Sequence, residues 1–101
     1  IVSLPNKEDF QKSLNTSFCV VVNEEIVEAL TLLECTSNSN GPTSNSELIG
    51  FSLIFEGNEK IVLPQMMYFF QHDFLQEFPL FIVPIGFHNQ SGCMRYQAIF
   101  N

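Results

Sequence analysis

From Phe18 to Phe100 the chain is built of short apolar stretches that alternate with period two, separated by polar breaks. Period two puts successive side chains on opposite faces of a pleated strand, whereas a helix repeats every ~3.6 residues. The closing segment shows this most sharply. Phe78-Pro79-Leu80-Phe81-Ile82-Val83-Pro84-Ile85-Gly86-Phe87 and Met94-Arg95-Tyr96-Gln97-Ala98-Ile99-Phe100-Asn101 flank the break Asn89-Gln90-Ser91-Gly92, which is the pattern of a β-hairpin. Tyr96, Ala98 and Phe100 fall on one face of its second strand, and a strand of that composition is stable only with that face buried.

Upstream, Leu4-Pro5-Asn6-Lys7-Glu8-Asp9-Phe10 opens a short helix. Asn6 is its cap, Asp9 the capping-box partner three residues on, Phe10 and Leu14 share a face, and Asn15 ends it. Strands are expected over 18–22, 26–35, 48–56, 61–63, 66–71, 78–87 and 94–101. The segment Glu56-Gly57-Asn58-Glu59 reads as a tight turn with positive φ at Gly57 or Asn58. Pro79 and Pro84 belong at edges or bulges, because proline cannot donate to a ladder. Residues 36–47 are Ser, Asn, Thr, Gly and Pro with few exceptions, which predicts a mobile loop inside the domain. With 101 residues, 46% apolar content and eleven Phe, the prediction is a single domain over 1–101. It is mainly β, a compact antiparallel sandwich or barrel of six to seven strands with one short N-terminal helix.

The net charge is −7, with only four basic side chains, Lys7, Lys12, Lys60 and Arg95. They are scattered, so no basic stripe is present to neutralise phosphates or an anionic membrane surface, and nucleic acid is not expected as a partner. No apolar run approaches the ~20 residues of a membrane-spanning helix. Cys19, Cys35 and Cys93 form no CxxC pair; Cys19 and Cys35 fall on neighbouring strands, which leaves one disulfide open. Asn15-Thr16-Ser17 and Asn89-Gln90-Ser91 fit the glycosylation triplet. The first residue is Ile1, and what preceded it is left open, as is the choice between a cytoplasmic location and release with an assembly.

The chemistry-bearing residues are sparse. His72-Asp73 with Cys93 could make a nucleophile and base, or with His88 a metal site, only if the fold brings them together. Glu24, Glu25 and Glu28, and Glu56 with Glu59, are read as solvated faces, because acid–base work requires a carboxylate with a shifted pKa. No phosphate-cradling glycine motif and no GxSxG elbow occurs. The expectation is therefore a protein without catalytic residues, metal or cofactor. More informative is the surplus of apolar residues on both strand faces. Val21, Ile54, Phe69 or Phe70, Ile82 and Ile99 occupy positions that a one-faced sheet would leave in water. Either both faces are covered within the domain, or these residues form an interaction surface.

With the strands placed, the order of residues resembles a family of small bacterial proteins known only as a domain of unknown function. The resemblance rests on Asp9-Phe10 with Leu14, Phe51-Ser52-Leu53-Ile54-Phe55-Glu56-Gly57, Leu63-Pro64-Gln65-Met66-Met67-Tyr68 with His72, Leu80-Phe81-Ile82-Val83-Pro84-Ile85-Gly86, and Tyr96-Gln97-Ala98-Ile99-Phe100-Asn101. It spans nearly the whole chain. Met66-Met67 depart from it where a glycine is usual before the tyrosine, as does the Ser/Asn loop. Members often lie near genes for phage-tail-collar-like proteins, so the resemblance implies a structural or interaction role in a tail-like or fibre-like assembly. The implied partner is another copy or a tail-collar-like protein, and no catalytic residue carries over. Gln65, Tyr68 and His72 match the family's polar pattern. The alternative function is a small-molecule-binding barrel with a pocket of Phe51, Phe55, Met67, Phe69 and Phe81, anchored by Tyr68, Gln65 and His72.

Overall fold

The computed structural model describes residues 5–37 and 50–100. A helix, α1 (Lys7–Lys12), is followed by six strands: β1 (Ser17–Val22), β2 (Glu25–Ser37), β3 (Phe51–Glu56), β4 (Met66–His72), β5 (Gln76–Phe87) and β6 (Met94–Phe100). All pairings are antiparallel, and the sheet closes on itself in the order β1-β2-β3-β6-β5-β4. The fold is a closed barrel, the second of the two architectures expected.

Alternation decides what lies inside. Phe18 and Val20 of β1, Leu30 and Leu32 of β2, Leu53 and Phe55 of β3, Phe70 of β4, Phe78 and Ile82 of β5, and Tyr96 of β6 are fully buried. The Phe18 and Phe55 rings meet edge-on at 5.4 Å, and Phe55 and Phe70 lie 5.3 Å apart. Helix α1 seals one end of the barrel. Its Asn6 cap accepts from the Asp9 N–H at 2.8 Å, and the Asp9 carboxylate accepts from the Asn6 N–H at 3.0 Å, the capping box expected. That short helix exists to present Phe10, which is fully buried. Phe10 packs against Phe18, Phe51, Phe78 and Phe100 with ring centroids 5.7–6.3 Å away. The helix ends earlier than the Asn15 expected, at Lys12, where the N–H of its C-cap Ser13 donates to the Phe10 carbonyl; Asn15 follows in the turn at φ 64°, which asparagine tolerates.

The other end is sealed by residues 57–65, where the sequence predicts a strand at 61–63. No strand forms there. Leu63 is buried, its N–H donates to the Tyr96 hydroxyl at 2.8 Å, and the Tyr68 hydroxyl donates to the Pro64 carbonyl at 2.7 Å. The two tyrosines thus fasten a plug, and the ladder that β3 would otherwise offer to 61–63 is taken by β6.

Other boundaries differ in detail. Thr36 and Ser37, predicted as loop, pair with Ser52 and Phe51 at the end of β2; the rest of the predicted loop lies outside the described residues. Pro79 sits where β5 is laddered to β4 and not yet to β6, and Pro84 adjoins a bulge at Gly86, the two settings expected. Gly57 has no positive φ. It is glycine for proximity, since a Cβ there would lie 2.6 Å from Leu30 Cδ2 and 3.3 Å from Tyr96 Cε2. Cys19 and Cys35 belong to β1 and β2 but are free, as is Cys93. Cys35 pairs with inward Leu53 and packs on the core, whereas Cys19 shares a register row with exposed Gln71.

Candidate functional site

The residues singled out for chemistry do not converge. His72 ends β4, while His88 and Cys93 bracket the β5–β6 turn, at opposite ends of the twelve-residue β5. That separation, roughly 35 Å of extended chain, rules out a shared dyad or metal site. Among the described residues no group of three His, Cys, Asp or Glu could hold a metal ion.

His72 is instead committed to the fold. Its Nδ1 accepts from the N–H groups of Phe74 at 3.1 Å and Leu75 at 3.4 Å, folding the β4–β5 turn around the ring. Thr16 Oγ1 spends its hydrogen on the Ser13 carbonyl at 2.5 Å, so His72 Nε2, 2.9 Å from that oxygen, is the donor. These contacts fix the neutral tautomer with its proton on Nε2. Burial pushes the His72 pKa below its usual value, against a smaller upward pull from Asp73. Burial also raises the pKa of Cys35, with Lys7 opposing, and those of Tyr68 and Tyr96. None of these shifts moves a group toward reactivity near neutral pH.

The acidic residues split. Glu24 and Glu25 are exposed at the β1–β2 turn, but Glu28, expected in solvent, turns inward. It stands opposite buried Val20 and shares the parity of Leu30 and Leu32. Its Oε1 accepts from the Ala29 N–H at 3.0 Å, and its Oε2 is buried without a hydrogen-bond partner. Glu56, on the outer face, is held by Arg95 Nε at 3.1 Å and Ser91 Oγ at 3.0 Å.

The predicted interaction residues sort by parity. Phe70 and Ile82 are corrected: both are fully buried and belong to the core. Their segments, Met66-Met67-Tyr68-Phe69-Phe70 and Phe78-Pro79-Leu80-Phe81-Ile82, are apolar at every position, so alternation alone does not reveal which parity faces in. Phe69 and Ile99 are exposed at 53% and 59%, and Val21 and Ile54 are half-buried on the outside. The candidate pocket also dissolves. Phe55 and Tyr68 point into the core, whereas Met67 and Phe81 are 55% and 45% exposed on the outer wall. Phe51 stacks on Phe100 at 4.4 Å, which leaves the liners no common space.

What remains is a contiguous outer wall across β1, β4 and β5. Register places Val21 beside Phe69 and Phe69 beside Pro79, with Met67 beside Phe81 in the next row. A third row, Cys19, Gln71 and Glu77, is polar, and Gln71 Nε2 donates to Glu77 Oε2 at 3.0 Å. Two shallow grooves adjoin this wall: one of about 570 Å³ over the polar row and the β4–β5 turn, and one of about 430 Å³ that reaches Val21 and Phe69. They share Gln71 and Glu77, and they add Asp73 in the larger and Glu24 beside Val21 and Phe69 in the smaller. Exposed apolar rows of this extent on a barrel's outer face are unusual for a surface that meets only water. Met67 and Phe81, pocket liners under the alternative function, lie on this wall instead.

The family model of a domain of unknown function (DUF6916) matches residues 5–100 of the chain. No curated protein and no solved structure matches it.

Proposed function

We propose a role for this chain, which belongs to the domain family of unknown function DUF6916: it is a non-catalytic interaction module that docks through the outer wall of β1, β4 and β5. One observation carries the reading. Phe69, Met67 and Phe81 are large, exposed and adjacent in register on a barrel that has already buried a full core. Burying such side chains against a partner is favourable by about 25 cal/mol per Å² of apolar area. Rigid strands also fix the backbone of the contact residues, so ordering on binding falls on their side chains alone. A tail-like or fibre-like assembly, built from copies of this chain or with a tail-collar-like protein, is the setting the family resemblance suggests for such a face.

The test is site-specific photocrosslinking in the cells that make the protein. A benzophenone side chain at position 69 or 81 is expected to give a discrete covalent product. The same group at exposed Gln11 on α1 should give none. Uncrosslinked monomer at every position would overturn the reading.

A further inference from the structure

Resting on that reading, we infer that the partner surface is a cationic polypeptide segment with interleaved apolar side chains, and not a second copy of this wall. The apolar rows supply adhesion and the charge pattern supplies the choice. β1, β4 and β5 contain no Lys or Arg. The chain's four cations lie on α1 (Lys7, Lys12), in the 57–65 plug (Lys60) and on β6 (Arg95). Lys7 and Lys12 are engaged with Ser37 and Glu8, and Arg95 with Glu56. Against this, Glu77 lies in both grooves of the wall, Asp73 lines one and Glu24 the other.

Two walls meeting face to face would therefore bring carboxylates of both copies together with no cation of β1, β4 or β5 to answer them. Like-charge juxtaposition of this kind costs affinity and selects against the wrong partner. A segment carrying Lys or Arg answers both ends of the wall: its apolar residues cover the Val21–Phe69–Pro79 and Met67–Phe81 rows while its cations reach Glu77 and Glu24. The Gln71 amide, already donating to Glu77, leaves that carboxylate further lone pairs for a cation. Anionic lipid surfaces and nucleic acid are disfavoured by the same charges.

The intact domain, labelled with ¹⁵N, is titrated with a soluble peptide alternating Lys and Val, and separately with its Glu-for-Lys counterpart. The expected result is saturable shifts centred on Val21, Phe69 and Gln71 with the Lys peptide and none with the Glu peptide. Raising the salt concentration should weaken binding several-fold, which needs no variant at all. The double change E24K/E77K, at exposed positions, should weaken it ~10-fold or more while the spectrum stays that of a folded barrel. Equal binding of both peptides, shifts centred on β2 and β3, or indifference to salt and to charge reversal would overturn the inference. So would sedimentation showing a dimer in which Phe69 is protected. A crosslink from position 69 to an acidic or neutral partner would sink this inference while leaving the docking face itself intact.

Discussion

At the residue scale, the clearest demand is made at Gly57. Backbone torsion does not require glycine there, but the approach of Leu30 and Tyr96 does, because the first atom of any side chain would fall 2.6 Å from a Leu30 methyl. G57A should therefore destabilise the barrel by about 1–3 kcal/mol through overpacking, measurable by urea denaturation. A change below experimental error would show that Leu30 moves aside freely. The glycine was legible in the sequence, but its reason was not: Glu56-Gly57-Asn58 has the composition of a tight turn, and only the fold shows two core side chains closing over it. Glu28 is a different case. Its spacing of two from Leu30 and four from Leu32 already placed it on the inner parity, yet a carboxylate beside two other glutamates reads as solvated. The end of the barrel lets an inner-parity side chain sit under the plug, where a central position would not.

At the scale of elements, the start of α1 and its capping box were readable, because those interactions lie within three residues of sequence, whereas its end at Lys12 came before the Asn15 expected. The β4–β5 turn is just as local in its own bonds, but the ring that makes them is oriented by Thr16, far away in sequence. His72 holds it from within by accepting two N–H groups on Nδ1, and a proton on that nitrogen would set N–H against N–H. Because the folded pKa lies below the ordinary value near 6.5, the unfolded chain takes up the proton first as pH falls. Stability is thus full above about pH 6.5 and declines as pH falls below it, levelling once the folded histidine is also protonated. Thermal melts across this range should show that decline, and H72Q should flatten it. An unchanged decline in the variant would assign it to the carboxylates. The predicted strand at 61–63 shows the opposite limit of local reading. Ile61-Val62-Leu63 has strand composition, but no free ladder remains for it, and Leu63 is worth more as a stopper held by Tyr96.

For the whole molecule, six strands of alternating pattern announced an antiparallel β-body but not its closure, since pairing β3 with β6 and β1 with β4 depends on contacts far apart in sequence. Parity within all-apolar runs was likewise settled only by closure, which is why Phe70 and Ile82 proved to be core while Phe69 and Phe81 form the wall. The two classes separate by experiment. F10S should cost about 3–5 kcal/mol, because it empties the contact of four surrounding rings. F81S should stay within ~0.5 kcal/mol, as expected of a side chain that packs on nothing inside. Comparable losses at both positions would mean that the outer wall is part of the fold's own stability and not reserved for docking.

The place of β6 has a consequence for how the protein comes into being. Its seven residues lie between β3 and β5 and complete the circle, so during synthesis all that precedes Met94 must wait as an unclosed sheet with two raw margins. Those margins, on β3 and β5, are the most adhesive the chain ever displays. A nascent or clipped form lacking Met94–Phe100 therefore bares both margins at once and is expected to clump.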